Sequence, residues 1–240
     1  MTKFLLLWLE GPLQSWGTSS KFDVRGTEDF PSWSALCGLI CCALGRKGEQ
    51  REFLAELTRY EPIITAFNKV KNGRKIPRTL LRDFHTVGAR YSQDDPFELL
   101  MIPKKIDGKK PSGTDGVIVT TRYAVQDGVY AAVMEFEAEL AENIADALFH
   151  PHWPLYLGRK AYIPTDIICK GLFDSRELAE QALKKIAEDK GLIWDYQVLP
   201  GALYDEGDVL ECSDVPVSFG LTKEVRTRFA TKAPVSGSQT

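Results

Sequence analysis

What most constrains this chain is its beginning. Phe4 to Leu9 is an unbroken apolar run, preceded by Lys3 and closed by Glu10-Gly11-Pro12. An amphipathic helix would turn polar residues to one side, whereas a short run without any suits a strand buried on both faces. Such a strand belongs near the middle of a sheet. The chain has 240 residues, 44% of them apolar, which is enough to bury one elaborated domain or two small ones without a disulfide or metal staple.

The rest of the chain alternates helical and extended patterns. Ser32 or Ser34 can cap a helix that runs to Leu44 and stops at Gly45, apolar on nearly all sides and therefore expected to pack deeply. Glu49 to Tyr60 reads as an amphipathic helix halted before Pro62, and Ile63 to Val70 as a strand. Val117 to Tyr123 and Val129 to Glu137 are β-rich runs around Asp127-Gly128, a hairpin signal, with a helix from Glu139 to Phe149 beyond them. Ile167 to Phe173 reads as a strand. Asp174 opens a helix ending at Gly191, with Leu178, Ala182, Leu183 and Ile186 as its buried stripe. This order predicts an α+β protein with a ferredoxin-like (βαββαβ) core over residues 1–173. Residues 174–232 add the last helix and a small β-rich C-terminal region of short strands, and 233–240 a disordered tail.

Residues 71–116 interrupt that order. They are rich in Gly, Pro and Lys, carry the turn signal Asn72-Gly73, and are too long for a plain loop, so they read as an inserted basic arm. The window from Lys69 to Lys110 holds eleven Lys or Arg against five Asp or Glu, in a chain whose net charge is -3. A positive segment inside an acidic protein is the footprint of a polyanion contact. A solvated loop kept soluble by its lysines fits the same composition.

Several function classes are excluded. The apolar runs Phe4 to Leu9 and Ala35 to Leu44 fall well short of the ~20 residues that cross a bilayer, and Glu10 spoils the first as a signal-peptide core. No membrane association is expected. Cys37, Cys41, Cys42, Cys169 and Cys212 form no Cys-x-x-Cys pair and read as core residues of a reducing, cytoplasmic protein. His85, His150 and His152 lack metal-ligand spacing, and no Walker loop or serine-nucleophile motif occurs, so neither a metal nor a cofactor is expected. Glu135, Glu137, Glu139, Glu142 and Asp146 alternate along a strand and then spread over a helix, as a solvated face does.

Three blocks carry a family resemblance. Gly11-Pro12-Leu13-Gln14-Ser15-Trp16-Gly17, followed by Phe22-x-x-Arg25-x-Thr27, Phe30-Pro31-Ser32 and a small apolar helix, resembles the N-terminus of the CasD family of CRISPR-associated RAMP proteins. Leu81-Arg82-Asp83-Phe84-His85-Thr86-Val87-Gly88 resembles the family's Leu-x-Asp-aromatic-His-Thr-Val signature, and Tyr156-Leu157-Gly158-Arg159-Lys160 its Tyr-Leu-Gly-Arg-basic motif. The resemblance covers most of residues 1–173 and is thin beyond Gly191. It implies a subunit of a type I-E Cascade-like surveillance complex for antiviral defence, gripping the 5′ handle of the guide RNA (crRNA) and capping the backbone filament. Implied partners are CasC-type backbone subunits, a CasA-type large subunit and, through the assembled complex, target DNA. The arm falls where the family inserts a thumb that meets the adjacent backbone subunit. One departure is Pro31-Ser32-Trp33-Ser34-Ala35, where the family often has Pro-Thr-Lys-Ser-Gly; the cation is missing and Trp33 offers a stacking surface or a packing one.

Residue roles follow. Gln14, Ser15 and Trp16 form a loop that can bring backbone N–H groups and an aromatic face to a nucleotide; a turn whose Trp16 plugs the core edge fits equally. Arg25, Arg82, Arg90, Arg159 and Lys160 have phosphate-binding chemistry, and Tyr156, like Tyr123, stacks bases or fills the core. Arg74, Lys75, Arg78, Lys104, Lys105, Lys109 and Lys110 are the arm's partner-facing cations. His85 is expected to bind RNA. The competing reading makes it the general base of a metal-independent endoribonuclease that processes repeat RNA, as some type I-C relatives do, while type I-E complexes leave cutting to a CasE subunit.

Overall fold

The computed structural model describes residues 1–17, 23–87, 94–101, 108–109 and 118–235. In chain order the elements are β1 (Thr2–Glu10), β2 (Leu13–Gln14), β3 (Trp16–Gly17), β4 (Val24–Arg25), β5 (Thr27–Glu28), α1 (Trp33–Ala43), α2 (Arg51–Leu57) and β6 (Ile63–Lys71). They continue with β7 (Arg74–Ile76), β8 (Thr79–Val87), α3 (Pro96–Met101), β9 (Ile118–Gln126), β10 (Val129–Glu137) and α4 (Ala138–Phe149). The last are β11 (Cys169–Phe173), α5 (Arg176–Asp189), β12 (Ile193–Pro200), β13 (Asp208–Ser218) and β14 (Glu224–Pro234). The chain is mixed α+β with mostly antiparallel sheets.

The main sheet runs β11-β1-β10-β6-β12-β14-β13, with β7 paired to β6, and its neighbours are antiparallel. β1 is flanked on both sides, and Leu5 through Leu9 are fully buried. Side chains alternate across a strand, so Leu5, Leu7 and Leu9 pack in the cluster that holds α1, α2 and α4, while Leu6 and Trp8 pack in the one that holds α5. That double cover is why the strand needs no polar residue. α1 starts at Ser32, whose side chain accepts the Ala35 amide, and ends in paired bonds from Gly45 N to Cys42 O and Arg46 N to Cys41 O. Gly45 lies at φ +68° and a Cβ there would meet the His152 ring at 2.6 Å, so both conformation and space demand glycine.

Several sequence expectations are corrected. The two Gly-containing turns behave differently: Asn72 and Gly73 both have positive φ and close the β6–β7 hairpin, as a type I′ turn requires. Asp127-Gly128, by contrast, closes no hairpin. β9 pairs with β8, β2 and β4 in a second, four-stranded sheet, and β10 pairs with β1 and β6 in the first. The turn is a crossing point pinned by the loop after β1, with Asp127 N donating to Pro12 O (3.0 Å) and Gln14 Nε2 to Gly128 O (2.7 Å). The segment expected as a core strand from Val117 is therefore part of the arm's root, which is a regular β8/β9 ladder.

The helix expected over 49–60 is shorter, Arg51–Leu57, entered through Gln50 at φ 54°. Ser175, not Asp174, caps α5, and the helix buries Ala179, Leu183 and Ala187 while Leu178 stays exposed. The C-terminal strands are long, and they extend the main sheet. Ala233 and Pro234, expected in a disordered tail, end β14, and 236–240 lie outside the described residues. Among the described residues no helix is long and apolar enough to cross a membrane.

Candidate nucleic-acid interface

The first and third motif blocks, some 140 residues apart in the chain, meet in space. Ser15 N donates to Leu157 O at 3.0 Å, and Gly158, at φ +95°, lies so close that a Cβ would come 1.8 Å from Ser15 O. Only glycine lets these two backbones touch. Beside the contact opens a cleft of about 580 Å³, walled by Ser15, Tyr156 and Gly158, by the Ser34, Ala35, Gly38 and Cys42 side of α1, and by Phe219, Lys223 and Val225 after β13. α1 is thus buried except for one small-residue side that faces the cleft.

Within block one, the structure corrects the expected contacts. Gln14 is fully buried, its amide donating to Leu9 O and Gly128 O, and Trp16 is 1% exposed, edge-on to Tyr130 at 6.3 Å. Neither offers a face to RNA; they hold the loop, and Ser15 and Gly17 are the residues of that loop that reach the cleft wall. Trp33 is also buried, under the Arg228 guanidinium at 5.3 Å, so it is a packing residue. Its amide donates to Asp214 at 2.8 Å, and Asp214 also binds Arg228 Nε at 2.8 Å. Burial pushes the Arg228 guanidinium down, the Asp214 hydrogen bonds and charge push it up, and the balance is a raised pKa. The buried carboxylate sits at the α1 N-terminus, where the helix dipole favours negative charge.

Block three leaves its polar groups reachable. Tyr156 is half-buried on the cleft, Arg159 is half-buried with one guanidinium nitrogen donating to Tyr162 Oη at 3.1 Å, and Lys160 is exposed. Lys223 is a cleft cation that sequence reasoning missed. Its segment joins α1 only through long-range packing, so no local pattern announces it.

Block two lies on the arm. In the β8/β9 register Arg82 faces Tyr123, Asp83 faces Arg122, Phe84 faces Thr121 and His85 faces Thr120. Alternation puts Leu80, Arg82, Phe84 and Thr86 on one side, and all four are exposed, Phe84 at 63%. Val24 of β4 adds to that side through its pairing with Thr121. Asp83 and His85 share the other side, where the carboxylate pairs with His85 Nε2 and Arg25 lies opposite Arg122.

Of the expected arm cations, Arg74 is exposed, whereas Lys75 and Arg78 both bind Asp195. Arg78 also donates to Phe67 O and packs beside the Tyr130 and Tyr196 rings at 5.4 and 5.2 Å. It anchors the arm to the main sheet and is not a partner-facing cation. Lys109 is exposed; Arg90, Lys104, Lys105 and Lys110 lie outside the described residues.

Comparisons with known proteins agree on one family. A family model described as CRISPR-associated protein (Cas_Cas5) matches residues 4–231. The CRISPR system Cascade subunit CasD of Escherichia coli (strain K12) is 35% identical over 92 residues, 38% of this chain, and the match spans 41% of that relative's length. Among solved structures, a chain of a CRISPR RNA-guided surveillance complex superposes with a TM-score of 0.65 at 25% identity, over 97% of this chain and 92% of the other. A structure titled as a crystal structure of Cas protein shares the fold, with a TM-score of 0.51 at 22% identity and 95% coverage of both chains.

Proposed function

The chain belongs to the CRISPR-associated Cas5 family, and from that premise we propose that it is a non-catalytic guide-RNA-binding subunit of a type I-E Cascade-like surveillance complex. It grips the 5′ handle and caps the backbone filament, beside CasC-type and CasA-type subunits and, in the assembly, target DNA. The observation that carries this reading is the meeting of motif blocks one and three at an open cleft, next to an arm whose exposed side alternates basic and apolar residues. Such a surface suits single-stranded RNA, neutralising phosphates with Arg82, Arg159, Lys160 and Lys223 and stacking bases on Phe84 and Tyr156.

We read β1, β6, β10 and β11 with α1 and α4 as the ferredoxin-like core of residues 1–173, a reading supported by their antiparallel order β11-β1-β10-β6. Residues 71–116, with β9 as the returning strand, are its thumb. The competing reading, a repeat-processing endoribonuclease, draws on the Asp83 carboxylate that holds the His85 ring. One assay separates the two: the protein is incubated with end-labelled repeat RNA in EDTA, beside the same RNA carrying 2′-deoxy substitutions. Handle-dependent retention without cutting is expected. A specific cut that is lost on 2′-deoxy substitution and in His85→Ala would make the protein a ribonuclease.

A further inference from the structure

A second recess lies at the root of the arm, where its strands leave the main sheet. Its cavity is about 200 Å³, smaller than the ~300–1,000 Å³ that encloses a whole small-molecule ligand and suited to one planar ring. Pro77, Leu80 and Val125 are its apolar walls, and Asn68 and Asp29 line it with polar groups.

Among the described residues with a buried polar atom that lacks a partner, Asn68 is the one that lines this recess. It is 2% exposed, and its Nδ2 has no hydrogen-bond partner. Buried amides are paired in native proteins, so an orphan donor lining a cavity calls for an acceptor supplied from outside. The recess does not suit a phosphate. Its two cations, Lys75 and Arg78, are both spent on Asp195, and Asp29 is matched by Lys232 at 2.5 Å. The four charged residues that line the recess, Lys75, Arg78, Asp29 and Asp195, sum to zero, so the fitting ligand is neutral and planar and carries a hydrogen-bond acceptor. Leu80, 60% exposed beside the opening, is an apolar surface for such a ring to cover.

We propose that this recess takes one unstacked nucleobase of the bound RNA, a carbonyl or ring nitrogen of the base accepting from Asn68 Nδ2 and Pro77 and Leu80 flanking its faces. The inference rests on the guide-RNA reading and adds to it a base-binding site separate from the cleft. The test uses the full chain and its repeat RNA, intact or with a single abasic site at each position in turn, against wild type, Asn68→Ala and Leu80→Asp. Asn68→Ala is expected to weaken binding of intact RNA about three- to tenfold. One abasic position should lose at least as much, and at that position Asn68→Ala should cost nothing further, the non-additivity of two groups in contact. Leu80→Asp, at an exposed site, should weaken binding with an unchanged thermal midpoint, so the result does not hang on the buried variant. Losses that add at every position, or intact affinity in both variants, would overturn the base site while leaving the guide-RNA reading in place. Failure of wild type to retain the RNA would overturn both.

Discussion

The cleft and the arm use their motif residues in opposite ways. At the cleft, Gln14, Trp16 and Gly158 are conspicuous in sequence, yet they are enclosed or in backbone contact, and their work is to hold two distant loops together. On the arm, Arg82 and Phe84 project from the exposed side of the β8/β9 ladder. A motif residue can therefore shape the surface or be the surface, and burial separates the two roles. Substitutions at the cleft should act first on stability. Substitutions on the exposed side of the arm should act on binding alone.

The largest effect is expected from Gly158→Ala. The residue is at φ +95° with Ser15 O in the way, so the variant should lose about 2–4 kcal/mol in denaturant unfolding, and RNA binding with it. A wild-type midpoint would break the comparison at its firmest point. Gln14→Leu comes next. It strips the donors from Leu9 O and Gly128 O, and should cost about 1–3 kcal/mol by the same measurement.

Phe84→Ala should behave in the opposite manner. Its stability should stay within about 0.5 kcal/mol of wild type, while affinity for repeat RNA falls about five- to a hundredfold if a base stacks there. A loss of stability without a loss of affinity would turn the exposed side of the arm into scaffold. The smallest effect concerns the end of β1. Burial pushes the Asp166 carboxyl up, but hydrogen bonds from Lys170 and Lys190 outweigh it and bring its pKa to about 2, below the ordinary 3.8. A depressed carboxylate contributes stability above its unfolded pKa and loses it as pH falls through the folded one. Asp166→Asn should therefore be less stable than wild type at neutral pH, and the gap should close between about pH 4 and pH 2 in acid titrations of the unfolding midpoint.

How much was legible in the sequence follows the same division. β1 announced itself because an unbroken apolar run has one good explanation, a strand covered twice. The helix stops at Gly45 and Gly191 and the Asn72-Gly73 hairpin were legible because each depends on a few adjacent residues. Asp127-Gly128 misled because a dipeptide reports that the chain turns, not which strands pair afterwards. Trp16 looked exposed because its sequence neighbours are polar, while its burial comes from Tyr130, far along the chain. Lys223, and the Asp214–Arg228 pair beneath Trp33, were invisible because β13 and β14 reach α1 only in three dimensions. Arg78 was counted with the arm's other cations because composition does not distinguish a guanidinium paired with Asp195 from a free one.

The most direct test is retention of repeat RNA in EDTA and matched salt by wild type and by the double variant Arg82→Glu, Arg159→Glu, with the thermal midpoint of each recorded. The account predicts handle-dependent retention by wild type, strong weakening in the double variant, and closely similar midpoints. Equal retention by the two proteins would contradict it, because the reachable cations of the arm and of the third motif would then not be where the RNA lies.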